Sequence, residues 1–203
     1  MLSDIFLGKR PSSFQVNPLV KAYIISELFL WSAWSFVAPI FAIFVVNEIT
    51  GANVETAALA YSIYLVTRVL FELISGKFLY RTGDKKKLLL AVFGIFCLSI
   101  GYIGFSFSTS ISLLFTSYFI LGIGLGIASP AKNAIFSIHL DKNKESTEWG
   151  IADAASFICM ALATALGGFF VHQFGFRTLF LLAAIINLLS IIPYALHLWM
   201  KKA

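Results

Sequence analysis

Residues 75–94 read SGKFLYRTGDKKKLLLAVFG: two glycines seven apart, a burst of positive charge, then a return to apolar residues. A tight basic turn between two long apolar segments raises the question of solvent. The chain of 203 residues is 59% hydrophobic and only 12% charged, with 21 phenylalanines. Its mean hydropathy is +0.89. A soluble domain is about a quarter charged and about half apolar, and a water-soluble fold of this size could not hide so much apolar surface. The bilayer is the natural solvent, and the expected fold class is an all-α membrane protein.

Working outward, a span needs about 20 mostly apolar residues to cross about 30 Å of hydrocarbon. Six runs qualify, at roughly 23–46, 57–80, 87–107, 111–138, 149–171 and 177–199, after an N-terminal tail over 1–22. The connections are short, and the six-helix domain takes up 23–203. The opening MLSDIFLGKRPSSFQVNPLVK lacks the basic-then-apolar pattern of a cleaved signal, so the first run reads as a permanent span. Cys97 and Cys159 sit inside apolar runs and read as small hydrophobes; no disulfide, metal site or cofactor is expected.

The distribution of Lys and Arg predicts orientation. Twelve fall on one side: Lys9, Arg10 and Lys21 in the tail, Lys77, Arg81, Lys85, Lys86 and Lys87 around the 2–3 loop, Lys142 and Lys144 in the 4–5 loop, and Lys201 and Lys202 at the end. The other side carries Arg177 alone, with Glu48 and Glu55 in the 1–2 loop. Both termini are therefore expected in the cytoplasm, with the protein in the plasma membrane. The quoted stretch becomes a cytoplasmic hairpin, in which Gly76 is expected to let span 2 pack closely or bend and Gly83 to supply a positive-φ turn.

The stretch GKFLYRTGDKKKLLL (76–90) has a counterpart in GFFVHQFGFRTLFLL (168–182), and Pro39 has one in Pro130 at nearly the same offset. Two copies of a three-helix unit, about 23–107 and 111–199, are predicted. An odd number of spans per copy makes the copies inverted, which is a transporter design.

These residues resemble the major facilitator superfamily. The family's loop signature, Gly-x-Leu-x-Asp-Arg-x-Gly-Arg-Arg/Lys, is met by Gly76, Phe78, Arg81, Gly83, Lys85 and Lys86, with Tyr80 at the aspartate and Asp84 at the first basic position. With Tyr80 in that place, the chain lacks the aspartate that supports the cytoplasmic gate in the family. GFRTLFLL (175–182) looks like the family's start of helix 6, and FILGIGLGIASPA (119–131) like its Gly-rich helix 4, where Tyr118 takes the usual arginine position. ATALGG (163–168) matches the helix 5 antiporter motif only in Gly167–Gly168. The resemblance implies the N-terminal half of a twelve-span transporter, and a second six-helix half, a copy or a different chain, as partner.

A charge at the bilayer centre costs roughly 2.5–3.5 kcal/mol on the insertion scale, so intramembrane charges are functional candidates. There are five: Glu27, Arg68, Glu72, Lys132 and Asp153. Arg68 and Glu72 are four apart and share a face with Tyr61 and Tyr64. They read either as a self-neutralising pair or as an anion site with a proton-accepting carboxylate, on a face turned into the bundle. Glu27, Trp31 and Trp34 read either as a cavity stripe suited to flat or cationic ligands or as a packing and interfacial stripe. Lys132 and Asn133 follow Pro130, and Asp153 opens span 5 with Ser156, Phe157, Met160 and Thr164 on its face. Glu27, Glu72, Lys132 and Asp153 lie at similar depth and are expected to form an ion-pair cluster at the inner mouth or around a coupling ion, or else to reach headgroup water singly. Gly122, Gly124 and Gly126 read as helix packing rather than a nucleotide loop, because no strand precedes them. Pro39 and Pro130 are expected to kink spans 1 and 4.

Enzyme readings find no serine, histidine or metal-ligand constellation, and the basic loops are accounted for by topology rather than nucleic acid. The leading expectation is an alternating-access transporter of a small solute, with proton coupling through Glu27, Glu72 or Asp153. Helices 1, 2, 4 and 5 would line the cavity and helices 3 and 6 face outward. The alternative is a non-transporting six-helix subunit, or a half-transporter that works only with its partner half.

Overall fold

The computed structural model describes residues 16–200. Lys9, Arg10, Lys201 and Lys202, counted in the charge asymmetry, lie outside the described residues. Within them every regular element is helical. Asn17 caps α1 (Pro18–Val37): its side chain accepts the Leu19 N–H at 2.9 Å, and Pro18 needs no donor in the first turn. The helix thus starts five residues before the apolar run did. A 3₁₀ turn, Ala38–Ile40, leads into α2 (Phe41–Glu48). α3 (Val54–Phe78) starts from a capping box of Asn53 and Thr56. α4 (Asp84–Ser106) and α5 (Ile111–His139) follow, and then α6 (Glu145–Leu189) and α7 (Ile192–Met200).

Five helical segments are long and apolar enough to cross a membrane: α1 with α2, α3, α4, α5, and α6 with α7. The last holds a break at Gly175, whose φ of 76° and ψ of 170° are open essentially to glycine alone. It falls between predicted spans 5 and 6. Predicted span 6 is itself interrupted before Pro193, where Ser190 turns back and its hydroxyl donates to the Asn187 carbonyl at 2.6 Å.

The two intramembrane prolines have different backbone outcomes and one shared remedy. A proline leaves the carbonyl four residues earlier without its helical donor. For Pro130 that carbonyl is Gly126, which instead accepts the Ser75 hydroxyl of α3 at 2.8 Å, and α5 runs on uninterrupted. For Pro39 it is Ser35, which accepts the Thr164 hydroxyl of α6 at 3.3 Å; here the helix gives way to the 3₁₀ turn. In hydrocarbon no water can take either role. Ser75→Ala should therefore cost about 1–3 kcal/mol by orphaning a buried carbonyl. In a Pro130→Ala background, where the alanine N–H restores the helical bond, the same change should cost much less. A double-mutant cycle of unfolding free energies in bicelles checks this, and equal costs in both backgrounds would refute it.

Glycines set the helix spacing. Gly122 and Gly126 sit against α3, where an added Cβ would come within 2.7 Å of the Tyr64 carbonyl and 2.8 Å of the Arg68 carbonyl. Gly124, on the opposite side of α5, faces Gly94 of α4, and a Cβ on Gly94 would lie 2.5 Å from the Gly124 carbonyl. Gly167 of α6 rests on the Phe36 carbonyl of α1. So α1 packs on α6 and α5 lies between α3 and α4, while α1 and α3 are held apart with their aromatic side chains between them.

Span 3 was expected to face outward, but only one face of α4 does so, with Phe93, Phe96 and Ile100 exposed. Its other face, with Ala91, Ile95, Leu98 and Tyr102, is buried. Span 2 is the least covered instead: 17% of its most apolar stretch is buried in α3, against 50% in α4 and α5. Lack of charge marked tolerance of lipid; glycine and alanine at helical spacing decided which helix went to the centre.

The basic hairpin corrects two expectations. A Cβ on Gly76 would meet nothing within 4 Å, so this glycine serves no close packing. Gly83 is extended, φ −74° and ψ 164°, and starts α4 by accepting the amides of Lys86 and Lys87. The positive φ, 56°, belongs to Arg81, just past the end of α3, with its guanidinium 5.1 Å from the Tyr80 ring centroid. The left-handed residue is set by where the helix terminates, and here that residue falls two positions before the glycine. Lys87 secures the turn by donating to the Thr82 carbonyl at 2.8 Å, and Lys85 and Lys86 are exposed.

Candidate functional site

The four residues predicted at one depth occupy three settings. Glu27 of α1 and Lys132 of α5 form a salt bridge in the interior, with Lys132 2% and Glu27 6% exposed. The second carboxylate oxygen of Glu27 accepts the Trp31 indole N–H at 2.8 Å. Both oxygens are thus engaged, which a buried carboxylate requires. Beside the pair, Tyr23 stacks on Phe136 at 4.1 Å and donates its hydroxyl to Asn133 at 3.2 Å. One helical turn of α5 therefore delivers both Lys132 and Asn133 to α1.

Arg68 and Glu72 stay together on α3, Nε to Oε1 at 2.9 Å, with each side chain about a third exposed, at 31% and 33%. Arg68 also donates to the Tyr64 hydroxyl at 3.4 Å. Satisfied one turn away, Glu72 is not drawn to Lys132. The pair adjoins an aromatic wall: Trp34 stacks on Tyr64 at 5.4 Å and lies 6.4 Å from Tyr61, and both tyrosines pack against Tyr118. Behind Trp34 is a cavity of about 260 Å³ between α1, α3, α4 and α5, lined by Phe41, Tyr61, Tyr102, Phe105 and Tyr118. Tyr118, at the position of the family arginine, thus contributes a ring rather than a charge.

Asp153 joins neither pair. It is exposed on the first arm of α6 and faces a second space of about 280 Å³ shared with Tyr23, Glu27, Trp31, Phe157 and Met160.

Two features were not anticipated from sequence. Asn187, 1% exposed on the second arm of α6, donates to the Ile95 carbonyl at 2.9 Å and to Ser99 at 2.8 Å, pinning that arm to α4. A lone asparagine in an apolar run was its signal. At the basic end, Asp84 meets His139 at 3.3 Å, tying the hairpin to the end of α5. Asp84 departs from the family's basic residue and takes up this contact instead.

A family model described as Major Facilitator Superfamily matches residues 23–202. A probable galactarate/D-glucarate transporter of Bacillus subtilis (strain 168) is 26% identical over 165 residues, covering 76% of this chain and 35% of that protein. Among solved structures, the POT family transporter PepTSo superposes with a TM-score of 0.67 at 16% identity, over 88% of this chain and 37% of its own. The last is a likeness of fold alone. The chain spans little more than a third of the length of either protein.

Proposed function

Because the chain belongs to the major facilitator superfamily, we propose that it moves a small solute across the plasma membrane by alternating access. In this reading the helices make six crossings, with α6 turning at Gly175, and both termini lie in the cytoplasm where the lysines and arginines gather. Spans 1–3 and 4–6 are inverted copies. Support for the repeat comes from the prolines: each sits in the first helix of its triplet, and each freed carbonyl is met by a hydroxyl from the second helix of the other triplet. Exchange of the triplets maps one contact onto the other.

The observation that carries the function is the Glu27–Lys132 pair. It joins the first helices of the two triplets across the bundle interior, where a bare structural link would be met more cheaply by apolar residues. Adding a proton to Glu27 removes one charge of the pair, so this contact can be made and broken during a cycle. Glu72 and Asp153 are the other carboxylates available for coupling. The partly exposed Arg68–Glu72 pair and the thinly covered face of α3 suit a water-filled crevice closed by a second six-helix half, a copy of this chain or another.

Proteoliposomes carrying the protein, alone and with a co-expressed second half, test the proposal with a panel of sugars, amino acids, organic anions and organic cations. Uptake above protein-free vesicles is expected for at least one solute under an inward proton gradient. Glu27→Gln, Glu72→Gln and Asp153→Asn should include at least one variant that loses the gradient-driven component. If all three retain it, proton coupling is wrong; if no solute enters under either condition, the transporter reading is wrong.

A further inference from the structure

The space between α1 and the first arm of α6 has a chemistry distinct from the aromatic cavity behind Trp34. Its volume is about 280 Å³, near the lower bound of about 300 Å³ for small-molecule sites. No lysine or arginine among the described residues lines it. Of its two carboxylates, Glu27 is neutralised by Lys132 and bonded to Trp31. Among the described residues, no hydrogen bond or ion pair engages Asp153, which is exposed. The cavity thus carries one uncompensated negative charge. Around it stand the rings of Tyr23, Trp31 and Phe157 and the thioether of Met160. The indole N–H of Trp31 is held by Glu27, so its ring is oriented by the buried pair rather than free to turn.

We propose that this cavity binds a monovalent organic ammonium ion of single-ring size, with Asp153 as counter-ion and Tyr23, Trp31 and Phe157 as its aromatic walls. A lone carboxylate beside aromatic faces attracts a cation through both charge and ring quadrupoles. It repels the dianionic sugar acids named for the Bacillus subtilis relative. The charge distribution favours a soluble ammonium solute over an anion at this position. The inference deepens the transporter reading and rests on it for passage of the cation across the membrane, whereas binding can be measured without transport.

The test uses the full-length protein in phosphatidylglycerol nanodiscs, with benzyltrimethylammonium as probe and neopentylbenzene as its uncharged counterpart. Quenching of Trp31 fluorescence, with Trp31→Phe as the control for the signal, reports binding. The ammonium should bind about tenfold or more tightly than the neutral compound. Asp153→Asn should remove that preference while leaving the neutral compound unchanged, and Asp153→Glu should restore most of it. Equal affinity for the two compounds, or a preference that survives Asp153→Asn, overturns the assignment. Loss of probe binding on adding phosphatidylethanolamine also overturns it, because the site would then belong to a lipid headgroup. Binding without uptake in proteoliposomes would leave this site standing and count against the transporter reading alone.

Discussion

Replacing Lys132 by methionine should destabilise the folded bundle by about 3–5 kcal/mol, the cost of stranding a buried carboxylate. Lys132 is 2% exposed and its partner Glu27 6%, so neither can turn to water when the other is lost. Glu27→Leu should be at least as costly, since it leaves a buried ammonium and deprives Trp31 of its acceptor. The double variant Glu27→Gln/Lys132→Met should recover to within about 1 kcal/mol of the parent, because the glutamine carbonyl still accepts the indole N–H and no charge is left unpaired. Unfolding free energies in bicelles provide the cycle. Single variants that cost less than about 1 kcal/mol would show that the pair is not made in the membrane. The same double variant separates stability from function: if the pair serves transport, the recovered protein should still fail in gradient-driven uptake.

Gly124→Val is the second change expected to be severe, at about 3 kcal/mol or more. A Cβ there would stand 2.7 Å from the Gly94 carbonyl and 2.8 Å from the Leu98 amide. Both obstacles are backbone, so no rotamer relieves them and α4 must move away from α5. Gly124→Ala should cost about 1–3 kcal/mol, the usual range for an overpacked site. Gly168→Ala, where an added Cβ meets nothing within 4 Å, should change stability by no more than about 0.5 kcal/mol. Thermal unfolding of the three variants in one detergent orders them. Equal midpoints for Gly124→Val and Gly168→Ala would refute the contact between α4 and α5.

Legibility followed range along the chain. Arg68 and Glu72 were readable as a pair because four residues on a helix always share a face. The glycine triplet was readable as packing, though that Gly122 and Gly126 serve one neighbour and Gly124 another emerged only once α5 lay between α3 and α4. Gly83 misled because a turn glycine suggests positive φ, yet the point at which α3 terminates placed that conformation on Arg81. Asn187 is an uncharged polar group in an apolar run, and its partners, Ile95 and Ser99, are set by packing rather than by any local spacing.

Solvent, helical class and the uneven placement of charge were written into composition and order, because hydrocarbon admits only apolar runs whose backbone bonds close on themselves. Which polar groups answer one another was decided by packing alone. Glu27 meets Lys132 across a sequence separation of 105, and the carbonyls freed by Pro39 and Pro130 find hydroxyls on helices that no local pattern singles out. The membrane makes an unpaired polar group costly, and the identity of its partner depends on how the helices come to lie against one another.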